Sequence, residues 1–549
     1  EGNLKIVLRG VSNTVEGDDH LARVMLNGTP LNGEVQWDGT DQAVLEVPFA
    51  QSLLAGTENG ELAAVTLEVQ GEVLSNAAHK YSLFYIESVE FSYDRKMYAQ
   101  DNALRIHDAP QGVVTVSGFS SYDIQVIEAP NTPDAAWRKN LTISEAAGGG
   151  YQVSFVSTGG DYQLSAAPVT VMPEPDYPSR LLSRRNRAEY LIIAPRSLQQ
   201  SAEALSDYRA TLYRTQIIWL QDIYDVFSGG RVDSEAIEEF LAYVHSHWQQ
   251  VPEYVVLFGR GTLDHPDRKG FDESMIPLRM AATPWGLIGS DNRYADVDGD
   301  YVPDFSIGRI AVSTNAAGLA YVDKLTAYDT EPAADWTAHA AVVADDPDPD
   351  AGDFHANSDQ IAAILTGYNM TVDKLYHPDG QVRNSLLANW AAGEYGFVNY
   401  DGHGGRTQLG KSSENFLKAG DVAALGNGSH LPVFSALTCA AGDSSYPGVL
   451  SLGDTLSLQV DGGAVAAFVP TGLSLDGPAH QLNIAFVNAL VGEGKSVGMA
   501  ARSALEEADI SGMVPFMFDV YNVAGDPAVK MKRLEGYRIS DGVSLEIKK

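Results

Sequence analysis

Short stretches of alternating apolar and polar residues fill the first part of the chain. Residues 4–8 (LKIVL) and 22–26 (ARVML) show the two-residue period of strands with one buried face. Asn-Gly pairs at 27–28 and 32–33 predict hairpin turns, because both residue types tolerate positive φ. Similar strands are expected up to residue 172, before a Pro-rich connector at 173–178. The pattern predicts two all-β units: a β-sandwich domain over 1–95, then a second small β domain with its linker over 96–185.

Beyond residue 186 the apolar runs become continuous and alternate with stretches of helical period. Residues 190–194 (YLIIA) are typical of a strand buried on both faces. Residues 234–248 carry apolar side chains at the spacing of one helix face. The alternation restarts after residue 335, so we expect two α/β subdomains, each built on a parallel sheet. Their expected bounds are 186–335 for subdomain A and 336–535 for subdomain B, with a C-terminal tail over 536–549.

Charge and cysteine content remove several classes of protein. The chain has 549 residues, with 37 Lys and Arg against 72 Asp and Glu, a net charge of −35. Such a surface repels phosphate backbones and anionic lipids, so nucleic acid and membrane surfaces are not expected partners. No apolar run reaches the roughly 18–20 residues of a membrane span. A single cysteine, Cys439, excludes an intramolecular disulfide and a Cys-based zinc site.

Two predicted strands end in residues that can carry chemistry. One runs into His403, which glycines bracket, and the other into Cys439. Ligands of open α/β sheets bind beyond the carboxyl ends of the strands, where both residues would lie. A thiol becomes a nucleophile when a base such as imidazole lies beside it. The alternative stays open that Cys439 is a small buried apolar residue and that the Gly-His-Gly turn is structural.

A third feature is an acidic loop. Asp296, Asp298, Asp300 and Asp304 supply oxygen donors at positions 1, 3, 5 and 9 of an EF-hand-like calcium loop. Ile307 stands at position 12, where a bidentate acid is expected. The loop therefore predicts either a structural calcium site or a solvated acidic turn.

Residues 397–405 (FVNYDGHGG) and 431–443 (LPVFSALTCAAGD) together resemble the catalytic core of gingipain-type, caspase-like cysteine peptidases. Residues 294–310, 451–456, 463–468 and 525–527 resemble further parts of that family. The likeness covers roughly 186–535 and implies a caspase-like (gingipain-like) α/β catalytic domain after the N-terminal all-β sandwich domains.

The resemblance implies roles for individual residues. Cys439 would be the nucleophile and His403 the general base. The backbone N–H groups of Cys439 and Gly404 would form the oxyanion hole, and Asp346 would orient His403. Calcium-binding relatives favour calcium at the acidic loop. Residues 471–474 (TGLS) contain no Trp to wall a primary pocket, while Asp353 lies near the expected place of a pocket acid, so a preference for Arg or Lys stays open.

These observations lead to an expected function. The leading hypothesis is a bacterial cysteine endopeptidase, secreted or at the cell surface, that cleaves protein or peptide substrates through a thioester. One alternative is a sortase-like transpeptidase of the same family. The other is a surface protein that binds carbohydrate or protein through its β domains and carries an inactive peptidase unit.

Overall fold

The computed structural model describes residues 2–11, 17–18, 20–54, 65–74, 82–93, 95–130, 132–168, 179–411 and 416–534. The chain divides into two compact units, Glu1–Pro178 and Ser179–Lys549. The connector expected at 173–178 and the tail expected at 536–549 lie outside the described residues.

The first part of the N-terminal unit consists of two three-stranded antiparallel sheets, in the orders β4-β1-β6 and β3-β2-β5. Their strands are β1 (Gly2–Gly10), β2 (His20–Leu26), β3 (Thr29–Trp37), β4 (Gln42–Phe49), β5 (Leu67–Val73) and β6 (Phe84–Ser92). Alternate side chains of β1 and β4 are buried, as the two-residue period predicts. Leu4, Ile6, Val24 and Leu45 belong to the core of this part.

The second part of this unit has two further antiparallel sheets, in the orders β10-β9-β13-β7 and β11-β12-β8. The strands are β7 (Ala103–Ile106), β8 (Gly112–Phe119), β9 (Gln125–Glu128), β10 (Ala136–Trp137), β11 (Thr142–Glu145), β12 (Tyr151–Ser157) and β13 (Tyr162–Ser165). A separate apolar cluster around Val116, Phe119 and Phe155 forms its core. The N-terminal unit is therefore β-rich, with two cores of its own.

The C-terminal unit is organised around a ten-stranded mixed sheet within its described residues, in the order β15-β14-β16-β19-β28-β27-β26-β22-β20-β21. These strands are β14 (Tyr190–Ala194), β15 (Thr215–Trp219), β16 (Tyr254–Phe258), β19 (Ser306–Ile310), β20 (His339–Ala344), β21 (Thr371–Tyr376), β22 (Phe397–Asp401), β26 (Val433–Leu437), β27 (Ala466–Pro470) and β28 (Tyr521–Ala524). Smaller sheets comprise β17 (Met280–Thr283) with β18 (Gly286–Gly289), and β23 (Gly404–Gly405) with β24 (Gln408–Leu409) and β25 (Leu417–Lys418).

Helices connect the strands of this sheet. They are α1 (Gln199–Arg209), α2 (Leu220–Phe227), α3 (Ser234–His247), α4 (Asn292–Ala295), α5 (Asn315–Thr330), α6 (Phe354–Gly367), α7 (Val382–Ala391), α8 (Leu452–Leu458), α9 (Asp476–Val487), α10 (Val497–Ser511) and α11 (Met517–Val520). Every residue of β14, β16, β22, β26 and β27 is buried. The continuous apolar sequences of β14, β16 and β27 follow from burial on both faces.

The two α/β halves share one sheet, which corrects the expectation of two separate parallel sheets. The strand that joins them is β28, from the C-terminal end of the unit. It pairs in parallel with β19 and antiparallel with β27. β28 lies between the two halves in the sheet, but it follows both of them in the sequence. No local sequence pattern could therefore reveal that it joins them. Among the described residues, no helix combines the length and apolar character needed to cross a membrane.

Candidate active site

His403 and Cys439 lie at the ends of neighbouring strands of the large sheet. β22 and β26 are parallel, and Asp401 is in register with Leu437. Each reactive residue follows its strand by two positions, so both side chains reach the same edge of the sheet. They line one cavity of about 250 Å³. The structure thus brings together the two residues that the sequence singled out.

The turns that carry these residues pack directly against each other. The N–H of Gly402 donates to the carbonyl oxygen of Leu437 at 3.1 Å. A Cβ atom added to Gly404 would come closer than 3.0 Å to Oγ1 of Thr438, the residue before the cysteine. Only a glycine fits at this contact. Its small size lets the turn that carries His403 (the histidine turn, starting at Gly402) approach the turn that carries Cys439 (the cysteine turn, starting at Thr438).

The cysteine turn is held by its neighbouring backbone. Ala440 adopts a left-handed conformation with φ 54°, which costs a non-glycine residue roughly 1–2 kcal/mol. Its N–H donates to the carbonyl oxygen of Gly472 at 2.8 Å, and that of Gly442 donates to Pro470 at 2.7 Å. Burial raises the pKa of the Cys439 thiol, an effect that a hydrogen bond from the backbone of Ser474 partly offsets. The thiol therefore needs a base to become a thiolate near neutral pH.

His403 has a carboxylate partner that fixes its orientation. Its Nε2 lies 2.9 Å from Oδ2 of Asp348, and its backbone N–H donates to Asp345 Oδ2 at 3.3 Å. The ring of Phe354 contacts the imidazole edge to face, at 5.4 Å between centroids. With Nε2–H donated to the carboxylate, Nδ1 is the nitrogen that can accept a proton.

The carboxylate of Asp348 is strongly stabilised as an anion. The N–H of Asp350 donates to Oδ1 at 3.0 Å, and Lys411 Nζ approaches Oδ2 at 3.1 Å. Hydrogen bonds from Asp350, His403 and Lys411 lower the pKa of Asp348 to about 2. The group stays ionised across the physiological pH range, as an orienting partner for imidazole requires.

Asp346, the residue expected to orient His403, lies elsewhere. Its Oδ2 is 2.8 Å from Nδ1 of His377. A tight turn closed by reciprocal backbone hydrogen bonds between Asp348 and Gly352 brings Asp348 to His403 instead. Spacing from the strand end could not distinguish the two carboxylates. The Asp-Pro-Asp-Ala-Gly sequence of residues 348–352 is a turn signal that favours Asp348.

The cavity beside Cys439 has an aromatic wall and acidic groups. Trp285, at the tip of the β17–β18 hairpin, supplies the wall and rests on Phe516 with ring centroids 5.4 Å apart. Asp350 and Asp476 also line the cavity. Sequence reasoning missed Trp285 and Asp476, because they come from segments distant in the chain. Asp353 instead caps α6, accepting from the N–H of Ala356 at 3.1 Å.

A buried carboxyl group lies behind the cavity. Asp401 is 1% exposed, and neither carboxyl oxygen has a hydrogen bond within the standard distance limits to any residue that the structure describes. Burial, followed by the nearby charge of Asp476, raises the pKa of Asp401 well above its usual range. Asp476 itself accepts a hydrogen bond from Asn357 at 3.0 Å. Burial disfavours the charged form of Asp401, so the protonated form is favoured, and a weaker interaction with the Asn357 amide acts in the opposite direction.

The acidic loop brings three of its four predicted ligands together. Carboxylate oxygens of Asp296, Asp298 and Asp304 all lie within 4.8 Å of one another. Asp300 is outside this group, and its Oδ1 accepts from the N–H of Val302 at 2.8 Å. Burial and, to a smaller extent, the charge of Asp300 raise the pKa of Asp296. The oxygen-only donor set fits calcium.

Comparisons with known proteins identify a sequence family and similar folds for the C-terminal unit. Residues 183–532 match the sequence profile of Peptidase family C25. The crystal structure of the Arg-specific cysteine proteinase gingipain R (RgpB) is similar over 62% of this chain and 78% of its own, at 21% identity and a TM-score of 0.53. The complex of the pro- and mature domains of Porphyromonas gingivalis RgpB is similar over 62% and 80%, at 22% identity and a TM-score of 0.53. No curated protein matches the sequence at a significant level.

Proposed function

The chain belongs to peptidase family C25 and is a cysteine-type peptidase, and from that premise we propose that it is an endopeptidase with a Cys439–His403 dyad. The observation that carries this proposal is the common cavity of the thiol and the imidazole at the ends of β22 and β26. A substrate protein or peptide would bind along this edge of the sheet. The intact pair argues against an inactive peptidase unit that serves only as a surface-binding protein.

The geometry supports a two-step reaction. Nδ1 of His403 takes the thiol proton, and the Cys439 sulfur attacks the scissile carbonyl carbon. The N–H groups of Cys439 and Gly404 stabilise the oxyanion; losing one such donor costs about 10²–10³ in rate. The tetrahedral intermediate breaks its C–N bond as the imidazolium protonates the leaving amine. Water, deprotonated by His403, then hydrolyses the thioester and releases the acid product.

Asp348 acts through His403. It accepts Nε2–H, which leaves Nδ1 as the nitrogen that can accept the thiol proton, and it stabilises the imidazolium that forms during each step. The bond between Asp348 and Lys411 holds the carboxylate in place. This role replaces the one first assigned to Asp346.

The cavity favours a basic residue before the scissile bond. Trp285 offers a flat face for the aliphatic stem and the cation of an Arg or Lys side chain. Asp476 and Asp350 provide negative charge in a chain whose net charge is −35. The Arg specificity of gingipain R points in the same direction. We expect Asp476→Asn to raise KM for Arg substrates while leaving the labelling of Cys439 by small alkylating agents unchanged.

We also propose a structural calcium ion held by Asp296, Asp298 and Asp304. The ion would neutralise a cluster of like charges that otherwise opposes folding of the 296–304 loop. The gingipain likeness further favours a bacterial protein that is secreted or at the cell surface, with the N-terminal β unit contacting the surface or its glycans. Locating the native protein by fractionation and testing the β unit on glycan arrays would check both assignments.

A labelling experiment tests the dyad. A peptidyl chloromethyl ketone ending in Arg should form one adduct, on Cys439, and abolish cleavage of casein. Cys439→Ala should neither label nor cleave, while it retains the wild-type melting temperature. Cleavage by that variant would refute the assignment of the reaction to this site.

A second assay distinguishes hydrolysis from transpeptidation. With a peptide substrate and an added amine such as glycylglycine, an endopeptidase releases mainly the free acid. Predominant transfer to the amine would instead assign the protein to the transpeptidase alternative, because both reactions share the thioester.

A further inference from the structure

An arginine ties the histidine turn to the cysteine turn. Arg406 follows His403 by three residues, and Asp443 follows Cys439 by four. Nη2 and Nε of Arg406 donate to Oδ2 of Asp443 at 2.6 and 3.2 Å, and Nε also reaches the Asp443 carbonyl oxygen at 3.1 Å. One side chain therefore spans the two loops that carry the reactive groups.

The surroundings hold this ion pair in a single geometry. The guanidinium carbon of Arg406 lies 3.8 Å from the centre of the Tyr446 ring. The carbonyl oxygen of Arg406 accepts from the N–H of Leu452 at 2.7 Å, beyond the cysteine turn. The side chains of Arg406 and Asp443 are 29% and 14% exposed, so water and salt screen the pair less than a surface ion pair.

The turns joined by this pair have little regular structure of their own. The histidine turn enters β23, which is two residues long, and the cysteine turn contains Ala440 in its left-handed conformation. At the ends of β22 and β26, the hydrogen bond from Gly402 to Leu437 also joins the two turns. The Arg406–Asp443 ion pair adds a side-chain connection farther along both turns, which restrains their relative position.

We propose that Arg406 is a positioning residue, which acts through Asp443 to hold Nδ1 of His403 and the Cys439 sulfur at reacting distance. The inference deepens the proposed function and rests on it. Arg406 does not reach the substrate; its effect is on proton transfer within the dyad. A displacement of about 1 Å between reacting groups lowers a rate by roughly 10²-fold.

The test compares Arg406→Gln and Arg406→Lys with wild type, and uses Arg383→Gln as a matched control. Arg383 pairs with Asp421 at 2.7 Å, with side chains 36% and 22% exposed, and contacts neither reactive residue. Three quantities are measured: kcat and KM on an Arg peptide, the pH midpoint of Cys439 alkylation by iodoacetamide, and the melting temperature.

Arg406→Gln should lower kcat about 10–100-fold with KM within threefold. The alkylation midpoint should rise above that of the wild type, because a displaced imidazole stabilises the thiolate less. Arg406→Lys, which keeps one charged donor, should recover part of both effects. Arg383→Gln should alter only the melting temperature. If Arg406→Gln no longer melts cooperatively, Asp443→Asn takes its place with the same expectations.

A folded Arg406→Gln protein with the kcat and alkylation midpoint of wild type would overturn the proposal. A shift in melting temperature alone, matching that of Arg383→Gln, would overturn it as well. Failure of the wild-type protein to cleave peptides would count against the proposed function, whereas the alkylation midpoint reports the coupling of the two turns without any substrate.

Discussion

The contact between Gly404 and Thr438 provides a direct test of how closely the two reactive turns must approach. In Gly404→Ala the new methyl group would lie less than 3.0 Å from Oγ1 of Thr438, where ordinary contact is 3.4–4 Å. The turns must then separate by roughly 0.5–1 Å. A shift of that size in reacting groups lowers a rate about 10–100-fold. We expect this loss in kcat, with KM changed much less.

The same contact supplies a suppressor and a control. Thr438→Ala removes Oγ1, which makes no hydrogen bond to the described residues and so loses little by removal. The double variant Gly404→Ala, Thr438→Ala should regain at least about tenfold in kcat. Thr438 Cβ would lie 3.4 Å from the new methyl group, and the Gln408 carbonyl oxygen, at 3.1 Å, needs to move by only a few tenths of an ångström. Gly405→Ala is the control, since a Cβ there has no heavy atom within 4 Å beyond its chain neighbours.

Steady-state kinetics on an Arg peptide, with melting temperatures in parallel, measure these effects. A Gly404→Ala protein as active as Gly405→Ala would contradict the steric argument. So would a double variant no more active than Gly404→Ala alone.

Three further predictions concern carboxylates. Asp348→Asn should lower kcat about 10–100-fold, because it removes the anionic partner of His403. The control Asp346→Asn loses only its bond to His377 and should leave kcat within twofold. Equal losses in the two variants would reject Asp348 as the orienting group. Because the pKa of Asp401 is raised in the folded protein, its stabilising contribution is complete below the unfolded value of about 3.9 and is lost as pH rises above it. Asp401→Asn should therefore be more stable than wild type at pH 8 and equal to it near pH 3.5 in urea unfolding, and a constant difference across pH would refute burial of the charge as the cause. Calcium at 100 times its dissociation constant should stabilise the wild type by about 2.7 kcal/mol. Asp298→Asn should lose that stabilisation and Asp300→Asn should keep it. Equal behaviour of the two variants would argue against the three-carboxylate site.

The strand ends show how far the sequence could predict this protein. Largely apolar runs at 397–400 and 433–437 identified buried strands, because burial on both faces favours apolar side chains. The polar exceptions, Asn399 and Ser435, are buried and donate hydrogen bonds to Oδ1 of Asn483. His403 and Cys439 follow these strands, and because the strands are parallel, both residues lie at the same edge of the sheet. The prediction of the peptidase family depended largely on these short segments, and the profile match confirms it.

The missed residues have a common cause. Trp285 and Asp476 reach the cavity from a hairpin and a helix start that no spacing relates to Cys439. Asp346 and Asp348 are two residues apart, and the path of the turn over residues 348–352 decides which of them reaches His403. A local pattern reports which face of an element is buried, but it does not report which distant segments meet.

The amino-acid sequence alone determined the β-rich N-terminal unit and the alternating α/β unit, and it predicted Cys439 and His403 as candidates at strand ends, since each depends on residues close together in the chain. The tertiary structure decided the union of both α/β halves by β28, the partner of the imidazole, and the cross-link from Arg406 to Asp443. These depend on contacts between segments tens to hundreds of residues apart, and their energies arise only once the chain has closed those loops.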